Sequence, residues 1–220
     1  MKNTKKILIS ILTITIVIFV FFFIRSNIDT KSEDFVDTSN WQIFINNNYS
    51  FQLSLPDSGW DTEEFFDHSF SPGINIYKKS TVEGEEMPFT HHTVGVSHIS
   101  VFPEGIPTEG LFGQTVELPD GWSDKFSENS SLYILADGTP FAAYLQFNET
   151  PNNWENYGFV WMYVEVDDYN ITCLENEEEI MMENCDPLGN DNIEIIHIGT
   201  VDSEAWNIEK EIVESMNFIN

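Results

Sequence analysis

The order of sequence patterns predicts an α+β domain, a central antiparallel β-sheet flanked by helices, preceded by one N-terminal transmembrane helix. Three observations predict it. Runs of alternating apolar and polar residues, separated by turn signals, fill most of the chain between Trp41 and Ile198. A segment with helical periodicity closes the chain after Asp202. An uncharged apolar run stands near its beginning, at residues 7–24.

That run, ILISILTITIVIFVFFFI, is interrupted only by Ser10, Thr13 and Thr15. As a helix it spans about 27 Å, close to the thickness of a hydrocarbon core. A secretory signal has an apolar core of about 7–15 residues followed by small residues at its cleavage site. Here Phe21, Phe22, Phe23, Ile24 and Arg25 end the run, and the first cysteine is Cys173. A retained signal anchor is therefore expected at 7–24. Lys2, Lys5 and Lys6 precede it, so residues 1–6 form a cytoplasmic tail and the rest is extracytoplasmic, making a single-pass membrane protein. Residues 25–40 are polar and read as a flexible tether. The exported domain is then 41–220.

Composition narrows the partners of that domain. The chain carries 37 acidic and 9 basic residues, for a formal net charge of -28. Every acidic residue lies at or after Asp29, where only Lys31, Lys78, Lys79, Lys125 and Lys210 oppose them. Such a field repels nucleic acid phosphates and attracts cations and basic protein surfaces. With 18 Phe, 6 Trp and 7 Tyr the chain is too aromatic to be a disordered acidic tail. The membrane, through the N-terminal helix, and a basic envelope protein are the expected partners.

Taken in order, Trp41, Ile43 and Ile45 alternate with polar and aromatic neighbours. Asn46, Asn47 and Asn48 turn the chain, and Tyr49, Phe51, Leu53 and Leu55 alternate again. This is a β-hairpin ended by Pro56. Strands follow at 74–78 and 93–102, then a Gly- and Pro-rich loop over 103–121. Strands at 132–135 and 141–147 flank Asp137 and Gly138, a hairpin signal. Strands at 159–166 and 169–173 flank a reversal at Asp167 and Asp168. Within the first of these, Phe159, Trp161 and Tyr163 alternate with Val160 and Met162. Both faces are apolar, as in a central strand covered on both sides. Residues 175–182 predict a short acidic helix, and 193–198 another strand. Asp202 or Ser203 caps the closing helix, with Ala205, Ile208, Ile212 and Met216 on one face and Val213 beside them. Glu204, Glu209, Lys210, Glu211 and Glu214 are placed on the other faces.

The stretch Tyr49-Ser50-Phe51-Gln52-Leu53-Ser54-Leu55-Pro56, followed by Trp60, resembles the opening of PsbP-like domains. Ser215-Met216-Asn217-Phe218 is similar to the close of the same group, with Met216 where the pattern prefers Phe. The resemblance implies an αβα sandwich of the kind found in anchored prokaryotic extracytoplasmic proteins. It implies no reaction, and no family binding motif is matched.

Candidate chemistry is sparse. Cys173 and Cys185, with eleven residues between them, are read as a disulfide in an oxidising compartment. Asp186, Asn190 and Asp191 offer oxygen ligands on a Gly-containing loop, a weak Ca²⁺ candidate lacking the spacing of an EF-hand. His91, His92 and His98 lie close in sequence. On a strand His92 and His98 stand about 20 Å apart, too far for one metal ion. Asn48, Asn129, Asn148 and Asn170 begin N-x-[ST] sequons. No G-x-S-x-G, H-E-x-x-H, G-x-G-x-x-G or P-loop pattern occurs. The functional expectation is a non-enzymatic protein-binding or accessory module, with Ca²⁺ or small-ligand binding as the alternative.

Overall fold

The computed structural model describes residues 36–67, 71–78, 97–104, 111–154, 158–190 and 192–219. These fold as one compact unit, Val36–Asn220, built around a seven-stranded antiparallel sheet. Its strands are β3 (Trp60–Asp67), β4 (Ser71–Lys78), β5 (His98–Phe102), β6 (Thr115–Val116), β7 (Ser131–Ile134), β8 (Pro140–Gln146) and β9 (Phe159–Tyr163). They are ordered β3-β4-β5-β9-β8-β7-β6. Two three-stranded sheets accompany it. One is β1-β2-β13, from β1 (Gln42–Asn46), β2 (Phe51–Leu55) and β13 (Asn217–Phe218); the other is β11-β10-β12, from β10 (Val166–Glu175), β11 (Glu178–Ile180) and β12 (Ile193–Val201). Among the described residues there is one α-helix, α1 (Ser203–Ser215).

Period-2 patterning explains where the core lies. On β2, Phe51, Leu53 and Leu55 are buried and alternate with half-buried Gln52 and Ser54. They meet Ile74, Ile76, Ile99, Val101, Val160 and Met162 from one face of the large sheet, with Trp206, Ile212, Val213 and Met216 from α1. The opposite face is aromatic. Phe102, Tyr133, Phe141, Phe159, Trp161 and Tyr163 form a second cluster there, joined by Val166, Tyr169 and Val201 of the β10–β12 sheet. β9 sits at the middle of the large sheet and every one of its residues is buried, as its two apolar faces require. The two segments that carry the PsbP-like resemblance lie side by side, for β13 pairs with β2 through Asn217↔Gln52 and Phe218↔Phe51.

Several sequence-based expectations are corrected. The α+β sandwich flanked by helices is not what forms: the described residues are mostly strand in three antiparallel sheets, with one 13-residue helix. The acidic helix expected over 175–182 is instead the end of β10, a turn and β11. Asn176 and Glu177 both take positive φ, 52° and 70°, which reverses the chain where a helix would have stacked Glu175 over Glu179. β3 was not foreseen because Asp61, Glu63, Glu64 and Asp67 interrupt its strand formers; pairing with β4 along all eight residues completes it. β9 and β10 are not a hairpin. They lie in different sheets, and Asp168 (φ 53°) sits in an irregularity of the β10–β12 pairing.

The membrane architecture is corrected as well. Among the described residues no helix is long and apolar enough to cross a membrane; α1 is short and amphipathic. The expected transmembrane signal anchor, the membrane as a partner and the single-pass extracytoplasmic placement that followed from it therefore have no structural support. Residues 7–24 themselves lie outside the described residues.

Candidate functional site: a disulfide-closed acidic arm

β10 and β12 pair antiparallel from Val166↔Val201 to Glu175↔Ile193, and β11 folds back on the far end of β10 through Cys173↔Ile180 and Glu175↔Glu178. The result is an arm that ends in a covalently closed loop. Cys173, 1% exposed on β10, is bonded to Cys185, with 5.9 Å between their Cα atoms. Cys185 caps the 3-10 turn Met182–Asn184. The Met182 thioether lies 3.6 Å from Cys173 Sγ.

The chain that this bond holds is unusual for its exposure. None of residues 181–190 is fully buried. Met181, Met182 and Leu188 are 68%, 56% and 63% exposed, three large apolar side chains within eight residues. Single exposed apolar residues need no explanation, but three within one short stretch do. Around them the sequence places Glu175, Glu177, Glu178, Glu179, Glu183, Asp186 and Glu194, with no Lys or Arg between Val166 and Val201. Exposed apolar and acidic side chains are thus interspersed along this stretch.

The candidate calcium ligands lie on this loop, where their described oxygens serve turns. Asp186 Oδ1 accepts from Gly189 N at 3.0 Å. A Cβ at Gly189 would meet that carboxylate, which would have to swing aside and give up this bond. Asn190 Oδ1 accepts from Asn192 N at 3.0 Å, and Asn190 Nδ2 donates to Glu175 Oε1 at 2.7 Å. Asp191 lies outside the described residues. Among the described residues, no group of three or more His, Cys, Asp or Glu is placed to hold a metal ion.

The histidines do not converge. His98 is buried and stacks on Tyr163 with ring centroids 5.7 Å apart; His91 and His92 lie outside the described residues. His197, which no motif singled out, is 1% exposed on β12. Its Nε2 lies 2.5 Å from the Phe112 carbonyl and its Nδ1 2.7 Å from the Tyr169 hydroxyl. A carbonyl only accepts, so Nε2 carries the proton and Nδ1 accepts from Tyr169. Burial lowers its pKa while the bond to Phe112 raises it. With both nitrogens used, this histidine braces the base of the arm.

Two further features frame the site. An open cleft of about 990 Å³ runs beside β6, lined by groups such as Glu117, Asp120, Ser127 and Asn129. The sequon amides there are engaged: Asn129 Nδ2 donates to Gln146 Oε1 at 3.1 Å, and Asn148 Nδ2 to the Ser123 carbonyl at 3.1 Å. On α1, Glu209 is 1% exposed rather than on the solvent side. Helical spacing carries the signal for this, because 205, 209, 212, 213 and 216 share one stripe. Comparison with family models, curated proteins and solved structures finds no match for the chain.

Proposed function

We propose that the chain is a non-enzymatic protein-binding module that docks through the closed end of its arm. The observation that supports this is the exposure of Met181 and Met182 inside the Cys173–Cys185 loop and of Leu188 three residues beyond it, in a stretch rich in carboxylates. Methionine suits such a surface, since its flexible, polarisable thioether adapts to varied apolar partners. The carboxylates choose the partner: a protein presenting an apolar spot ringed by Lys or Arg. Opposite charge steers the encounter and disfavours acidic competitors, while the apolar centre supplies the contact area. Disulfide closure pre-shapes the loop and so lowers the ordering cost of binding.

The test uses the full chain and a short amphipathic peptide of leucine and lysine, titrated by fluorescence anisotropy. Wild type is compared with an M181S/M182S/L188S variant that keeps every charge. The triple variant binds at least about tenfold more weakly, a loss of roughly 1.4 kcal/mol, and wild-type affinity falls with added salt. Equal affinity for the two proteins would mean that the peptide senses net charge alone, and the tip would not be the docking surface.

A further inference from the structure

We infer that docking is conditional on the redox state of the Cys173–Cys185 pair, because that bond is the main hold on the tip. This rests on the docking reading above. The geometry behind it is a contrast between two parts of the chain. The body is packed on both faces of a seven-stranded sheet by two apolar clusters. The loop over 181–190 contributes no fully buried residue to either. Its backbone hydrogen bonds are short-range, from Asn184 N to the Met181 carbonyl, Cys185 N to Met182, and Gly189 N and Asn190 N to Asp186, with one from Ile193 N at the start of β12 to the Asn190 carbonyl. Beyond the disulfide, the loop is tied to β10 by the Asn190–Glu175 hydrogen bond and the Met182 contact with Cys173. One side-chain hydrogen bond between half-buried residues adds only about 1 kcal/mol. A loop with few buried contacts opens at low free energy unless a covalent bond restrains it.

The chemistry is ordinary thiol exchange with a dithiol as reductant. Cys185 is half-buried whereas Cys173 is 1% exposed, so the attacking thiolate meets Cys185 Sγ. A mixed disulfide forms there and the Cys173–Cys185 bond breaks, releasing Cys173 as a thiolate that takes up a proton. The second thiol of the reductant then attacks the mixed disulfide. Cys185 leaves as a thiol, and the reductant departs as its own cyclic disulfide. Two electrons have passed from the dithiol to the protein. The bond closes only a short loop at the arm's end, so the body keeps its fold and the tip loses its shape.

The experiment is amide hydrogen exchange on the full chain, oxidised and after reduction with dithiothreitol and alkylation, with a C173S/C185S variant alongside. Amides within 178–190 lose protection in both the alkylated and the variant protein, while those of β5, β8 and β9 are unchanged. Affinity for the leucine–lysine peptide falls to that of the M181S/M182S/L188S protein. Retained protection at the tip would overturn the inference, as would loss of protection across the body. The exchange readout needs no partner. If tip protection collapses as stated but the peptide ignores the triple substitution, the docking reading fails and the disulfide's hold on the tip stands.

Discussion

Glu209 lies on α1 between Trp206 and Ile212, facing the core, and neither carboxyl oxygen has a hydrogen-bond partner of good geometry. Burial holds its pKa well above the ordinary carboxylate range; the Ser97 hydroxyl and the Lys78 ammonium pull the other way and lose. Ser97 Oγ already accepts from Glu165 N at 3.0 Å, which leaves its proton as the one donor it can offer. The consequence for stability has a definite sign. The unfolded chain ionises Glu209 near pH 4.5, while the folded chain keeps the proton. The stability this residue supports is present below that pH and is lost as pH rises toward the folded pKa. A neutral isostere removes the dependence. Glu209→Gln matches wild type at about pH 4 and melts higher at about pH 8, by roughly 2–4 °C for each kcal/mol regained. Thermal melts at the two pH values check this, and a wild type more stable than the variant at the higher pH would show a satisfied, ionised carboxylate instead.

At the scale of the element, α1 carries its start signal in its sequence. The Asp202 side chain accepts from Glu204 N at 3.0 Å, the N-cap expected from Asp before a helical stripe. The far end is closed from outside the helix, by Lys125 Nζ donating to the Glu214 carbonyl at 2.7 Å and the Val213 carbonyl at 3.3 Å. Asp202→Ala removes the N-cap and lowers stability by about 1 kcal/mol, measured by urea unfolding. No loss would mean that packing alone sets the helix start. The same contrast between local and distant causes explains which elements were legible in sequence. β1, β2, β8 and β9 were readable from alternation, as was the Asp137–Gly138 turn, where Gly138 adopts φ 87° and Thr139 N donates to Asp137 Oδ1. β3, β6 and β11 were not: acidic residues interrupt β3 and β11, β6 is two residues long within a Gly- and Pro-rich stretch, and each is completed by its partner. The acidic run after Cys173 looked helical because composition favoured it, and two residues of positive φ reversed it.

For the whole molecule, the even spread of acid along the sequence conceals where the surface is specialised. Charge counts announced a basic partner or cations, and the cysteine pair announced a bond, but neither located the apolar tip. Met181 and Met182 fell at the end of the expected acidic helix and Leu188 in the loop after it; with β11 and the 3-10 turn in its place, all three are exposed. The dense aromatic run at 159–163, which read as a central strand covered on both sides, is buried at the centre of the large sheet. The docking surface proposed above therefore lies on the arm and not on this strand. The most direct test is a backbone amide NMR titration of the oxidised full chain with the leucine–lysine peptide. Shifts concentrated in residues 178–190, reversed by salt and lost in the M181S/M182S/L188S protein, are the expected result. Shifts scattered over the acidic surface, or gathered along the cleft beside β6 with the tip unmoved, would contradict a docking arm.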